Sequence, residues 1–284
     1  MSYLVDQLKS ISIDHGDSLR VLSAFVRQTR EDIENSASTI ESTLGKMPEI
    51  PESDGIKITV EETGAPVELT KKQYDMLRNT LLHSKTNAAR FPNLLYEMAF
   101  IYRVALHDAL IPDILTAILK NKQSMLKSKK TMTHEEIIDH PEGNSLVGVM
   151  AQKELDTEMS NKPIKVQLEY IKNKFGMELV KKQEHLDQLA ELIARRHLLV
   201  HSNGRVDTKY KRLMPASAAN QGERITVDYD YYEEAERLLT AIAEVLFTLT
   251  SKIHAKLEIP IIVYPGSRRI ADLMKDVDLG RTEI

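Results

Sequence analysis

The sequence predicts a mostly α protein: an antiparallel helical bundle with a small β-hairpin insertion and short edge strands. Three observations predict it. Apolar residues recur at three- and four-residue spacing along most of the 284 positions, the period of a single helix face. Alternating β-branched residues between Pro and Gly mark one hairpin, in "MPEIPESDGIKITVEETGAPVELT". A hydrophobic share of 42% supplies enough apolar surface for a core.

Taken in order, Leu4, Leu8, Ile11, Leu19, Leu22, Phe25 and Val26 outline a helical N-terminal arm, continuing weakly to Leu44 and open to a break at Gly16. The hairpin follows, through Ile56 to Val60 and Val67 to Leu69. A helix about Tyr74 to His83 precedes a long apolar one from Asn93 to about Leu126, which Pro112 should kink. After a polar stretch come helices at Ser145 to Met159, Pro163 to Phe175 and Lys181 to His201, with Pro163 suited to a first turn and Gly176 to a stop. A strand at Ile225 to Tyr229 leads into a closing helix. The expected organisation is an arm with its hairpin over residues 1–69, a bundle over 70–257 and a C-terminal strand and tail over 258–284.

Composition excludes several classes. With no cysteine there is no disulfide framework, thiol nucleophile or cysteine-ligated metal. The first residues lack the basic and apolar blocks of a signal peptide, and no uncharged apolar run reaches membrane-spanning length, so a cytoplasmic protein without membrane contact is expected. A net charge of −4 gives no general attraction for nucleic acid, and the absence of Trp with only 5% aromatics disfavours a base-stacking platform. Any polyanion site must be local.

The stretch "ARRHLLVHSNGRVDTKY", residues 194–210, is the informative one. At about 100° per residue, Glu184, Asp187, Gln188, Glu191 and Arg195 share an arc opposite Leu186, Leu189, Ala190, Ile193 and Val200. Arg195 is therefore expected in solvent. Arg196, His197 and His201 fall within or beside the apolar half, where a purely structural helix would carry Leu or Ile. His197 and His201 stack at four-residue spacing, whereas Arg196 and His201 lie roughly 140° apart on a regular helix. Two arrangements bring them together: a helix ending near His201, signalled by Ser202, Asn203 and Gly204, or a second chain that completes the site.

Arg196-His197-Leu198-Leu199-Val200-His201, with "SNGRVDTKY" after it, resembles the Arg-x4-His signature of the HEPN (higher eukaryotes and prokaryotes nucleotide-binding) superfamily. The helix "LLYEMAFIYRVALHDALIPDIL" is similar to the family's early helix, with Asp108 as its acidic residue, and "GERITVDY" resembles the step into its last helix. The resemblance covers roughly residues 70–257. It implies an antiparallel helical bundle, a metal-independent ribonuclease without cofactor, and paired protomers that bring two motifs into one cleft. Some toxins of the superfamily that are paired with nucleotidyltransferase antitoxins carry a tyrosine two residues after the histidine; Asn203 stands there instead, which puts regulation by modification of that position in doubt.

The chemistry can be argued independently. Cleavage through the 2′-hydroxyl needs a group that moves protons near neutral pH and a fixed cation for charge building on the phosphate oxygens, roles that imidazole and guanidinium fill. His201 is assigned as general acid/base, Arg196 as phosphate clamp, and His197 with Asn203 as groups holding the site or the scissile phosphate. A 2′,3′-cyclic phosphate product is expected and DNA should survive. Arg205, Lys209, Lys211 and Arg212, opposed only by Asp207, form a candidate phosphate-gripping edge, with Tyr210 able to pack or stack; the competing reading is a solvated loop. The run Lys120, Lys122, Lys127, Lys129 and Lys130 reads as a solvated face.

Other signals fall short. "HEEIIDH" carries Ile138 where zinc-protease spacing needs His, and "YPGSRR" lacks the lysine of a nucleotide loop. His107, Asp108 and Asp113 read as helix partners. Two functions follow from different classes: an endoribonuclease acting on RNA as a toxin or defence effector, homodimeric and restrained by a regulatory partner or antitoxin; or a noncatalytic helical module that binds RNA or protein. A structural role for Arg196, His197 and His201, paired with acids such as Asp108 or Glu97, competes with both.

Overall fold

The computed structural model describes residues 2–47, 56–59, 66–126, 131–139, 143–215 and 217–256. The expected C-terminal strand and tail, the segment Tyr264 to Arg269, Lys127, Lys129, Lys130 and the connection 60–65 lie outside the described residues. What is described is mostly helical.

Helix α1 spans Ser2–Lys46 without a break at Gly16. An interior glycine costs only about 1 kcal/mol relative to alanine, and burial outweighs it here: Leu8, Ser12, His15, Leu19 and Leu22 are all buried at alternating four- and three-residue steps. Of the apolar positions read from the sequence, Leu4, Leu8, Leu19, Leu22 and Val26 are buried, so most of that register holds. Phe25 is 57% exposed, whereas the polar Ser12 and His15 face inward. Strands β1 (Ile56–Thr59) and β2 (Pro66–Leu69) pair antiparallel, with Ile56 opposite Leu69 and Thr59 opposite Pro66.

Helix α2, Lys71–Ala88, opens with a reciprocal cap in which the Thr70 hydroxyl accepts from the Gln73 N–H and the Gln73 side chain accepts from the Thr70 N–H. Helix α3 runs from Phe91 to Asn121 and continues past Pro112. The missing backbone donor is tolerated because Leu110, Ile111, Ile114, Leu115, Ile118 and Leu119 are buried around it, so leaving the helix would expose far more than one hydrogen bond is worth. The helix stops at Asn121 rather than Leu126; Gln123–Leu126 forms a separate 3-10 turn.

Helices α4 (His134–Ile138), α5 (Gly143–Met159) and α6 (Ile164–Phe175) follow. Pro163 occupies the N-cap of α6, and Gly176 closes it in the left-handed region at φ 72°. Next come α7 (Gln183–Ser202), α8 (Thr208–Leu213) and α9 (Tyr229–Thr250), the last extended by a π turn, Ser251–Ala255. The strand expected at Ile225 to Tyr229 does not form. A single bridge joins Arg205 to Arg224, and Asp228 is instead the N-cap of α9, its carboxylate accepting from the Tyr231 N–H at 2.9 Å.

The chain divides into two compact units, residues 23–98 and residues 1–22 with 99–284. In the second unit the core is built on Phe100, Val104, Ile114, Leu115, Ile171, Phe175, Leu189 and Leu246. Among the described residues one helix, Tyr229–Ala255, is long and apolar enough to cross a bilayer; 78% of its apolar window is buried inside the protein, so packing accounts for its composition.

Candidate functional site

Helix α7 fixes its position by burying Leu189, Leu192, Ala194 and Leu198. It ends on Asn203 in the left-handed region (φ 49°, ψ 40°), followed by Gly204 at φ 72°, whose N–H donates to the Leu198 carbonyl at 3.0 Å. The reversal then places Val206, Tyr210 and Ile225 against Ala194 and Leu198 in a small apolar cluster. Gly204 is required here: a Cβ would stand 2.7 Å from the Ile225 carbonyl oxygen, on a backbone that side chains rarely adopt. Gly204→Ala should therefore lower the unfolding free energy by roughly 2 kcal/mol, read as a reduced urea midpoint at unchanged slope.

The stop comes one residue beyond His201, so both motif side chains still project from regular helix. The angle of roughly 140° between Arg196 and His201 stands, and the helix end does not remove it. The His197 and His201 rings do meet, with centroids 4.6 Å apart and planes tilted by 50°. Burial lowers the His197 pKa, with the Lys209 and His201 charges adding to the effect; Asp207 opposes it. His197 is thus favoured as a neutral imidazole, able to accept a proton.

Arg196 is half-buried, and its Nε is fully buried with no hydrogen-bond partner among the described residues. Asp108 on α3 shares its field. The Asp108 side chain keeps contact with solvent, yet the surrounding protein displaces enough water to push its pKa up to about 6, against the pull of the Arg196 charge. Asp108 therefore stays mostly ionised at neutral pH and begins to take up a proton only as the pH falls toward 6.

The remaining candidates divide. The Asn203 carbonyl accepts from Arg224 Nε at 3.2 Å. Arg205 Nη1 donates to the Gly222 carbonyl, and Lys211 Nζ to the carbonyls of Ser217 and Ala219, at 2.9 and 3.0 Å, so both brace the loop after α8. Tyr210 packs: its ring is 3% exposed and its hydroxyl donates to Glu191 at 3.0 Å. Lys209 and Arg212 stand exposed on α8, and Lys209 is close enough to act on His197.

Arg195 departs from the sequence reading. It is not in solvent: Nε donates to Glu191 at 2.8 Å, Nη1 donates to the Thr226 carbonyl at 2.9 Å, and the guanidinium lies 3.8 Å from the centroid of the Tyr231 ring. The Tyr231 hydroxyl also donates to Glu191. This clamp ties α7 to α8 and to the start of α9, directly beside Arg196. Only its Glu191–Arg195 pair, at i,i+4, was visible in the sequence; the two tyrosines arrive from distant positions.

Among the described residues no three His, Asp or Glu side chains converge where a metal ion could sit. Compared with protein-family models, curated proteins and solved structures, the chain shows no match to any of them.

Proposed function

We propose that this protein is a metal-independent endoribonuclease of the HEPN type, an antiparallel helical bundle acting in the cytoplasm on RNA as a toxin or defence effector. One observation carries the reading: beside a contacting pair of imidazoles, the chain holds a guanidinium whose Nε has no internal acceptor among the described residues. The rest of that half-buried guanidinium is the part open to a ligand, and a charge-assisted contact from its fork to phosphate oxygens is among the strongest hydrogen bonds it can make.

The proposed reaction uses these groups as follows. Arg196 binds the non-bridging oxygens of the scissile phosphate. An imidazole of the His197/His201 pair takes the proton of the 2′-hydroxyl as its oxygen attacks phosphorus; the P–O5′ bond breaks, and O5′ receives a proton from His201. The products are a 2′,3′-cyclic phosphate and a 5′-hydroxyl. Lys209 and Arg212 supply the local positive charge for the strand. Because Arg196 and His201 diverge on α7, the reading includes a homodimer in which the motif helices of two chains share a cleft, with a regulatory partner or antitoxin restraining it.

The test is direct. Full-length protein incubated with mixed RNA in excess EDTA should give fragments ending in cyclic phosphate, while DNA of the same sequence stays intact. RNA that remains whole, or fragments that appear only with added magnesium, would reject the proposal. RNA bound but uncut would favour a noncatalytic module.

A further inference from the structure

A groove of about 460 Å³ lies between α7 and α9, and none of the proposed chemistry uses it. Its floor is apolar: Leu192, Ala235 and Leu238 line it and all three are buried. Its rim is polar, with His185 and Gln188 from α7 and Glu234 and Arg237 from α9. Tyr231 is also part of the lining.

The Tyr231 ring cannot swing in to fill the space. Arg195 covers it at 3.8 Å, Phe100 meets it edge-on with centroids 5.6 Å apart, and its hydroxyl is held by Glu191. The groove is therefore a preformed cavity with a fixed aromatic wall, in the size range of small-molecule sites.

Charge narrows the occupant. Glu191 accepts from Arg195 and from the hydroxyls of Tyr210 and Tyr231, so its charge is already compensated. Arg237 and Glu234, three residues apart on α9, both line the rim and carry opposite formal charges. The lining has little net charge and suits neither a phosphate nor a free cation. It suits an uncharged heterocycle, whose ring would lie on the apolar floor of Leu192, Ala235 and Leu238 and for which Gln188 offers both a donor and an acceptor.

Position supplies the last step. Leu192 lies four residues before Arg196, on the same face of α7 and about 6 Å along its axis. A strand whose phosphate rests on Arg196 brings a neighbouring base to the groove. We propose that the α7–α9 groove is a nucleobase subsite that takes one unpaired base of the RNA beside the scissile phosphate. This rests on the ribonuclease reading for its substrate and adds the element of sequence preference that reading lacks.

Two measurements test it. Nucleosides without phosphate are titrated into the full-length protein by NMR, and the bases flanking RNA cuts are read by sequencing, for the wild type and for Gln188→Ala. Saturable binding that favours one base is expected, together with that base's enrichment beside the cut. Gln188→Ala should weaken nucleoside binding about fivefold, the loss of roughly one hydrogen bond, and flatten the preference. Ala235→Trp, which fills the floor, should abolish nucleoside binding; an unchanged urea midpoint shows that the variant is folded. If nucleosides bind in the groove and RNA is never cut, the subsite stands and the ribonuclease reading falls. If RNA is cut but nucleosides do not bind, or Gln188→Ala leaves binding and preference as in the wild type, the subsite is overturned.

Discussion

Replacing Arg196 by alanine, and separately His201 by alanine, is expected to lower the rate of RNA cleavage by about a hundredfold or more each. Removing a positioned proton-transfer group costs about that much, and so does removing one preorganised contact to a developing oxyanion. The two losses should differ in character. Arg196→Lys keeps the charge but not the fork, and it should retain part of the activity with a raised KM; His201→Ala should fall mainly in kcat. Neither change should move the urea midpoint far, because His201 is exposed and the buried Nε of Arg196 makes no internal hydrogen bond among the described residues. Mixing the two inactive variants provides the test of a shared cleft. If one chain contributes Arg196 and the other His201, a mixed dimer regains cleavage; a mixture as inactive as its parts would put the whole site in one chain. Cleavage that persists in both single variants would remove these residues from the chemistry.

What the sequence revealed depended on how local each cause was. Pro163 and Gly176 bracket α6, and Asn203 with Gly204 ends α7, because a fixed φ or a left-handed residue acts within one turn. Gly16 carries an equally local signal, yet α1 continues through it, and α3 likewise continues past Pro112. Each sits in a helix with buried neighbours on successive turns, and that burial exceeds the cost of one poor residue. The alternation at Ile225 to Tyr229 failed as a strand for a related reason: its Asp228 is used to cap α9, leaving a single bridge at Arg224. Arg196, His197 and His201 stood out because polar groups interrupt an apolar arc. The surroundings of Arg195 did not, since Thr226, Tyr210 and Tyr231 reach Glu191 and Arg195 from 19 to 40 positions away.

The same limit hid a second polar group, and it carries a large effect on stability. His15 on α1 and His107 on α3 are buried, at 9% and 4% exposure, in the unit that also contains Arg103 and Glu236. Arg103 pairs with Glu236 at 2.5 Å and lies 5.7 Å from the centroid of the Tyr232 ring. Burial, helped by the Arg103 charge, lowers the His15 pKa to about 4; burial, helped by His15, does the same to His107. Both imidazoles are therefore neutral in the folded chain and bind protons near pH 6.5 once unfolded. Between pH 6.5 and 4 the unfolded state holds more protons, so stability falls as the pH drops through that interval. Above it the contribution is fully present, and below pH 4 the loss is complete. A depression of this size corresponds to about 3 kcal/mol for either imidazole alone, a large part of an ordinary folding free energy. Urea midpoints measured from pH 7.5 to 4.5 should decline steeply, and His107→Leu should flatten the decline, because a leucine fills the space and binds no proton. Other carboxylates titrate in both proteins, so the difference between the two curves isolates His107. Parallel curves would show that His107 is not a source of acid sensitivity and that its site admits a proton without cost.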